Sequence, residues 1–241
     1  MIKFFRRIRQ RLLDEGNLKR YFIYAIGEIL LVVIGIVIAL SISKWNSDVN
    51  DKETEQRLLY DLSQGIKNDK LLIENELLKT NNAISNLNKL DSLLKYDIPK
   101  PNEDLNHLFG TVYGMKHLRL NLALYENLKS VGLGIVEDEK LRAQIIRVFE
   151  YHYAQIGGIL DVESNINQVM RPYYLSNFIS IKFSEYAIPI DIEKLWIDSY
   201  YKNIVYYRIE TLEVNQKVFY ENSITNINLL LKLIDNSLKK E

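Results

Sequence analysis

Residues 21–42 read YFIYAIGEILLVVIGIVIALSI and are the most distinctive stretch of the sequence. The stretch has 22 residues and a single formal charge, which is Glu28. An α-helix of this length is about 33 Å long, enough to cross a hydrocarbon core of about 30 Å. Lipid offers the backbone no hydrogen-bond partners, so a lone spanning segment must be helical. The sequence therefore predicts one transmembrane helix over residues 21–43.

Two alternatives to an uncleaved membrane anchor remain open for this stretch. Ala39-Leu40-Ser41 and Ser41-Ile42-Ser43 fit the small-x-small pattern of a signal-peptide cleavage site. A buried core helix is the second alternative. The long preceding region and the length of the apolar run favour an uncleaved anchor, and apolar residues on every face argue against a core helix.

The charges on either side of this stretch predict its orientation. Residues 1–20 hold seven Lys or Arg and two acids, whereas residues 44–60 hold three basic residues and four acids. Because positively charged flanks stay in the cytoplasm, we expect a cytoplasmic N-terminus and residues 44–241 on the far side of the membrane. Tyr21 and Trp45 mark the two ends as interfacial anchors, since aromatic rings prefer the headgroup level.

Residues 2–13, IKFFRRIRQRLL, form a basic amphipathic stretch within the cytoplasmic segment 1–20. A helix here could lie in the membrane interface, with Arg6, Arg7, Arg9 and Arg11 on anionic headgroups. Alternatively, these arginines only set the topology. Nucleic-acid binding is not expected, because so short a segment beside a membrane leaves little room for a reading fold.

Small residues and one acid share a face of the apolar stretch. Gly35, Ala39 and Ser43 are spaced by four, a pattern that lets two membrane helices approach closely. An intramembrane carboxylate should face protein or water or take up a proton. We therefore expect Gly27, Glu28, Gly35 and Ala39 to face another transmembrane helix, in a homo-oligomer or in a membrane partner. A protonated or snorkelling Glu28 on a lone helix is the alternative.

The remainder of the chain, 44–241, is predicted to be an all-α helical bundle. Only four prolines interrupt the 241 residues. A seven-residue apolar repeat predicts a long stalk helix over about 51–95, and its polar gaps favour packing in a bundle over a tight two-stranded coiled coil. The repeat consists of Leu59, Ile66, Ile73, Leu87 and Leu94, with Thr80 as the break, and of Leu62, Ala83 and Leu90, with Asp69 and Glu76 as gaps.

Further helices are expected from start signals and apolar spacing. They cover roughly 102–113, 121–129, 137–171 and 202–238, with Pro172 bending or ending the third, and a short helix follows Pro189. Residues 176–190 could be a strand or an irregular loop. In the last helix, the residues expected to face the core are Ile204, Tyr207, Val214, Val218, Leu229 and Leu233.

Catalytic and metal-binding motifs are missing from the sequence. The chain has no cysteine, three histidines without a His partner at i+4, no HExxH, no GxSxG and no phosphate loop. We therefore expect a protein that is not an enzyme and needs no metal or cofactor.

Tyrosine is enriched in the last third of the chain. Side chains that could line a ligand pocket or present a partner surface are Tyr173, Tyr174, Trp196, Tyr200, Tyr206 and Tyr207. Tyrosine suits this role because it combines a large apolar body with one polar tip. The alternative is that these rings fill the bundle core and its rim.

The sequence also resembles a family of uncharacterised single-pass membrane proteins of Bacteroidetes-type bacteria. The resemblance is carried by MIKFFRRIRQRLL, by YAIGEILLVVIGIVIAL followed by Trp45-Asn46, and by ALYENLKSVGLGIVEDEKLRAQI at Ala123–Ile145. It implies an inner-membrane protein of a double-membraned bacterium with a periplasmic region. It implies no activity.

Two functions of different classes follow. The first is a membrane-anchored interaction or scaffold protein that assembles through its transmembrane helix. The second is a periplasmic ligand-sensing or small-molecule-binding subunit with a tyrosine-lined cleft. A pocket between helices lined by these tyrosines would favour the second, and a solid core would disfavour it.

Overall fold

A computed structural model describes residues 18–114 and 118–239 of the chain. The chain divides into two compact units, Met1–Thr54 and Glu55–Glu241. Helix α1 spans Leu18–Leu93 and contains the apolar stretch. Its best 18-residue window has a mean hydropathy of 2.8 and no buried residue, so by length and composition this helix can cross a membrane. The prediction of a helical apolar segment is confirmed.

The second unit is almost entirely helical, as an all-α prediction requires. After α1, its elements are α2 (Glu103–Val112), α3 (Ala123–Val131), a short 3₁₀ turn (Leu133–Ile135), α4 (Glu139–Ile146), α5 (Tyr153–Asn177), α6 (Ile192–Ile197), α7 (Ser199–Thr211) and α8 (Val218–Leu238). A hairpin of β1 (Phe178–Lys182) and β2 (Tyr186–Pro189) follows α5. Two π-helical segments, Arg147–His152 and Leu212–Lys217, join α4 to α5 and α7 to α8.

The seven-residue repeat is the buried face of α1 beyond Glu55. All five apolar residues of its first position are at most 3 % exposed, and Thr80, the break in the repeat, is fully buried. The stripe packs against other helices of the same chain, which agrees with the prediction of a bundle. The stalk is a direct continuation of the helix that starts at Leu18, because residues 44–50 keep the helical backbone.

Two hydrophobic cores lie along this stripe. The first core contains α1 residues from Leu58 to Ile73, together with side chains of α3, α4, α5 and α8. The second core contains α1 residues from Ala83 to Leu90 and Leu94 just after the helix, together with side chains of α2, the second half of α5, the hairpin, α6 and α7. One helix face therefore contributes to both cores.

The hairpin packs closely on α2, and glycine makes this approach possible. A Cβ atom built on Gly110 would collide with backbone atoms of Tyr186, and one on Gly114 would collide with the hydroxyl of Ser184. The Nδ1–H group of His107 donates to the carbonyl of Glu185 at 2.6 Å. The region 176–190, left open between strand and loop, is thus an antiparallel hairpin.

Helix starts agree with their sequence signals. Side-chain oxygens of Asn102, Asp138, Asp191 and Asp198 accept backbone N–H groups at the starts of α2, α4, α6 and α7. These bonds satisfy donors that have no partner within the helix itself.

Pro172 does not end α5, which continues to Asn177. Proline removes one backbone donor from the helix. The helix is nevertheless held on both sides of it by the buried side chains of Met170 and Tyr174. Packing therefore outweighs the local preference for a helix end at this position.

The expected core face of the last helix is wrong in most positions. Ile204 is buried, but Tyr207, Val214, Val218 and Leu229 are exposed and Leu233 is half-buried. The π-helical segment Leu212–Lys217 widens one turn and rotates the following residues relative to a regular helix. The buried residues from that segment onward are Leu212, Gln216, Tyr220, Ser223, Ile227, Leu230 and Ile234.

Gly110→Ala tests the close approach of the hairpin to α2. The added methyl group meets backbone rather than a flexible side chain, so we expect a loss of about 1–3 kcal/mol in the free energy of unfolding. Gly157→Ala is the matched control, because nothing lies within 4 Å of its Cβ position and alanine favours helix by up to about 1 kcal/mol. Thermal unfolding of the full chain in detergent measures both. A Gly110→Ala protein as stable as Gly157→Ala would contradict the packing.

Candidate functional site

A groove of about 500 Å³ lies between α5 and α7. Its lining is Val162, Asn165, Ile166, Val169 and Met170 from α5, and Tyr200, Asn203, Ile204 and Tyr207 from α7. The two walls use helical spacings of three, four and seven residues, which place each set on one face of its helix. Within residues 18–114 and 118–239, no Asp, Glu, Lys, Arg or His belongs to this lining.

The groove has a buried floor and an exposed rim. Ile166, Met170 and Ile204 are at most 7 % exposed and belong to the second core. Tyr200 and Tyr207 keep 50 % and 57 % of their surface exposed. The floor is therefore apolar, while the rim offers aromatic faces and one exposed asparagine from each wall.

Asp198 holds the beginning of α7 against α5. One carboxylate oxygen accepts from the backbone N–H of Tyr200 at 2.8 Å, and the other accepts from the hydroxyl of Tyr173 at 2.5 Å. The hydrogen bond from Tyr173 holds the pKa of Asp198 below its usual value. Burial, followed by the hydrogen bond to this carboxylate, raises the pKa of Tyr173. Both directions describe a neutral phenol bonded to an ionised carboxylate.

An aromatic cluster connects Tyr200, on the rim of the groove, to the second core. Tyr173 stacks on Tyr201 with centroids 5.8 Å apart and lies 5.4 Å from the ring of Tyr200. Tyr174 is fully buried, stacks on Phe178 at 4.3 Å and donates to the carbonyl of Phe109 at 2.9 Å. Because the buried hydroxyl of Tyr174 has a partner, its ring is a satisfied part of the core.

A buried ion pair lies behind the floor. Arg208 and Glu163 are 1 % and 2 % exposed and form a bidentate pair with distances of 2.6 and 3.0 Å. Arg208 also donates to the carbonyl of Gly114 at 2.8 Å, and the amide of Gln216 donates to Glu163. Both oxygens of the carboxylate accept hydrogen bonds, so this arrangement is suited to holding helices together rather than to proton transfer.

The structure divides the six predicted aromatic residues. It brings Tyr200 and Tyr207 together in the groove. Tyr174 and Trp196 are buried, so they belong to the core and cannot present a surface. Tyr173 supports the groove through Asp198, and Tyr206 is exposed on a neighbouring face outside the lining.

Sequence reasoning missed the α5 wall and Asn203. The spacing of Val162, Asn165, Ile166 and Val169 does signal a helix face, but periodicity cannot tell whether another element covers that face. Only the position of α7 in the structure shows that this face stays partly open.

The residues predicted to pack in the membrane all lie on α1. Nothing in the described residues comes within 4 Å of a Cβ position built on Gly27 or Gly35, and Ala39 and Trp45 are exposed. Glu28 is half-buried. The residues and side chains that lie outside the described part are Arg6, Arg7, Arg9 and Arg11, the side chain of Tyr21, and most of the predicted segment 1–20.

No metal-binding cluster appears in the described ranges. Residues 18–114 and 118–239 contain no group of three His, Asp or Glu side chains that could hold a metal ion. The ring of His107 is hydrogen-bonded to the backbone carbonyl of Glu185, and His152 is buried beside the first core. His117 lies outside the described residues.

Asp198→Ala and Asp191→Ala separate helix capping from the tyrosine bond. Both aspartates cap a helix, so each substitution should cost about 1 kcal/mol, but loss of the Tyr173 bond should bring Asp198→Ala to about 2 kcal/mol. The folded-state pKa of Asp198 is lowered, so its contribution is present above the unfolded pKa of about 3.9 and is lost as the pH falls through the folded value. Thermal melts at neutral and acid pH measure this. Equal losses of unfolding free energy for the two variants at neutral pH would contradict a stabilising contribution from the Tyr173–Asp198 hydrogen bond.

Comparison with known proteins places the chain in a family. The sequence model of the "Family of unknown function (DUF6090)" matches residues 28–169, which include most of the apolar stretch, the rest of α1 and the α5 wall of the groove up to Val169. Neither the curated proteins nor the solved structures contain a match. The family match agrees with the resemblance to an uncharacterised family. Since it spans more than half of the 241 residues, the chain belongs to this family of unknown function, DUF6090.

Proposed function

We propose that the protein is a membrane-anchored interaction protein that assembles through its N-terminal helix, as a homo-oligomer or with another membrane protein. The observation that carries this proposal is the face of α1 around Gly27 and Gly35. A Cβ atom at either position would meet no atom of the described residues within 4 Å, and Ala39 on the same side of the helix is exposed. This face therefore has room for another backbone to approach.

Small residues on a helix face promote association in lipid for a physical reason. Apolar side chains gain nothing from the hydrophobic effect when they leave lipid for another helix, so association depends on close van der Waals contact and on polar groups. Gly35 and Ala39 permit the contact. Glu28 lies on the same side of the helix and carries a group that lipid penalises.

The proposed location is the inner membrane, with the N-terminus in the cytoplasm and residues 44–241 in the periplasm. The excess of Lys and Arg in residues 1–20 supports the orientation. The exposed apolar segment of α1 supports the anchor. The resemblance to proteins of Bacteroidetes-type bacteria supports a double-membraned cell. The lipid bilayer would then be the first partner of the chain.

A second candidate function is ligand binding by the second unit, as a sensing or small-molecule-binding subunit. One observation favours it, namely the groove between α5 and α7 with Tyr200 and Tyr207 on its rim. Grooves of roughly 300–1,000 Å³ with an apolar lining and a few polar groups are typical of small-molecule sites. The buried Tyr174 and Trp196 limit the aromatic contribution to the rim.

Gly35→Leu tests assembly through the helix. Leucine would fill the space needed by a neighbouring backbone and should weaken association by about 1–2 kcal/mol, or roughly tenfold in the dissociation constant. Ser41→Leu is the matched control, because it also replaces a small residue by leucine but lies about 120° away from Gly35 around the helix. Mass measurement of the complex in mild detergent at several protein concentrations reports the result. A monomeric wild-type chain would contradict the homo-oligomer and leave assembly with another membrane protein. Equal effects of both variants would contradict assembly through the face that contains Gly35.

Fusions at residue 241 test the orientation. Alkaline phosphatase, which is active only outside the cytoplasm, should be active, and a fluorescent protein that needs the cytoplasm to mature should stay dark. The reverse pattern would overturn the proposed orientation. Mass spectrometry of the purified chain checks the anchor, since a mature protein that begins after residue 43 would identify a cleaved signal peptide.

A further inference from the structure

The residues named for the lining of the α5–α7 groove carry no charge, which restricts the kind of ligand that can bind there. Its nine lining residues include no Asp, Glu, Lys, Arg or His. The buried charges behind the floor, Arg208 and Glu163, are paired with each other. A charged ligand group placed on the floor would lose its hydration without gaining a counter-charge, which is strongly unfavourable. The lining therefore selects against ions of either sign.

The polar groups of the groove include one amide from each wall. Asn165 stands on α5 and Asn203 on α7, and both are exposed. An asparagine side chain offers a donor and an acceptor at once, so it can pair reciprocally with a neutral amide or a similar group. Tyr200 and Tyr207 add two exposed rings, on which a flat apolar body can stack.

The dimensions of the groove favour a small molecule over a helix of another protein. The walls extend from 162 to 170 and from 200 to 207, which is about 11–12 Å along a helix axis. A stable protein–protein interface buries about 800 Å² and roughly 20–30 residues on each partner. The nine residues named for this groove are far fewer. A volume of about 500 Å³ instead fits a compact ligand.

We infer that the groove between α5 and α7 binds a small neutral molecule with an aromatic or otherwise flat apolar body and an amide-like hydrogen-bonding group. The apolar body lies on Ile166, Met170 and Ile204, the ring of Tyr207 covers it, and Asn165 and Asn203 bind the polar group. This inference rests on the second candidate function and names the ligand class for that site.

Met170 provides a local reporter for the test. The chain has three methionines, so ¹³C-methyl labelling of methionine in the full chain, held in lipid nanodiscs, gives three methyl resonances, and Met170→Leu identifies one of them. The probes are N-methylbenzamide, benzoate and benzylammonium, which share a ring but differ in charge. N-methylbenzamide should shift the Met170 resonance saturably, in the millimolar range expected of so small a probe, and the two ions should not. Labelled chain without probe and probe with empty nanodiscs are the references.

Three substitutions test whether the probe binds in the groove: two at lining residues and one control at a residue outside the lining. Tyr207→Ala should weaken binding of N-methylbenzamide by about threefold to tenfold, the usual effect of losing one aromatic contact. Tyr206→Ala should leave it unchanged, because Tyr206 is as exposed as its neighbour, at 59 % against 57 %, but does not line the groove. Asn203→Asp places a negative charge in the groove and should make benzylammonium the better probe.

Each contrary outcome contradicts a different statement. Tighter binding of an ion at Met170 would overturn the ligand class and leave the groove as a binding site. No saturable shift with any of the three probes would overturn the ligand-binding function of the groove as well. A Met170 resonance that moves with protein concentration alone would overturn the small-molecule assignment, because a second copy would then fill the groove. Assembly through α1 is measured separately by the comparison of Gly35→Leu with Ser41→Leu.

Discussion

The buried stripe of α1 is the constraint on which the second unit depends. Residues from Leu58 to Ile73 enter the first core, and residues from Ala83 to Leu94 enter the second. A straight α-helix drifts by about 20° per heptad relative to a seven-residue repeat, so a stripe this long turns slowly around the helix. The elements that cover it must follow that turn. The division of the interior into two cores, each with its own set of covering helices, is one way to meet this requirement.

The ion pair of Arg208 and Glu163 shows how the covering helices are fixed in place. Hydrophobic burial is non-directional and tolerates sliding, whereas a buried bidentate pair has one geometry. Burying the pair costs solvation free energy that its Coulombic attraction offsets only in part, whereas its two parallel bonds permit few relative positions of the helices that carry it. The pair joins α5 to α7, and the bonds to Gly114 and Gln216 extend it to the end of α2 and to the second π-helical segment. The separation of α5 and α7, and with it the width of the groove, follows from these bonds.

Sequence reasoning succeeded where one local rule decides the outcome. The helical apolar stretch and the apolar repeat of α1 each follow from a pattern within one element, and both agree with the structure. It failed where tertiary contacts decide. The π-helical segment at Leu212–Lys217 changes the register of everything after it, and the burial of Gln216 against Glu163 becomes visible only when α5 is in place. For the same reason, adjacent tyrosines such as Tyr206 and Tyr207 end in different surroundings.

The two surfaces proposed for function, the α1 face that contains Gly35 and the groove between α5 and α7, would act in different media, lipid and water. In lipid an apolar side chain gains no hydrophobic free energy by moving from lipid to another helix. The proposed association of α1 would therefore draw its specificity from the shape of the helix face and from Glu28. In water, the exposed apolar surface of Tyr200 and Tyr207 is energetically unfavourable. A bound apolar body would remove part of this surface from water. A charged surface could have recruited ligands by long-range attraction, but the described part of the chain contributes no ionisable side chain except tyrosine to the lining of the groove. Any selectivity it has must therefore arise at contact, from its shape and from the amides that its two walls supply.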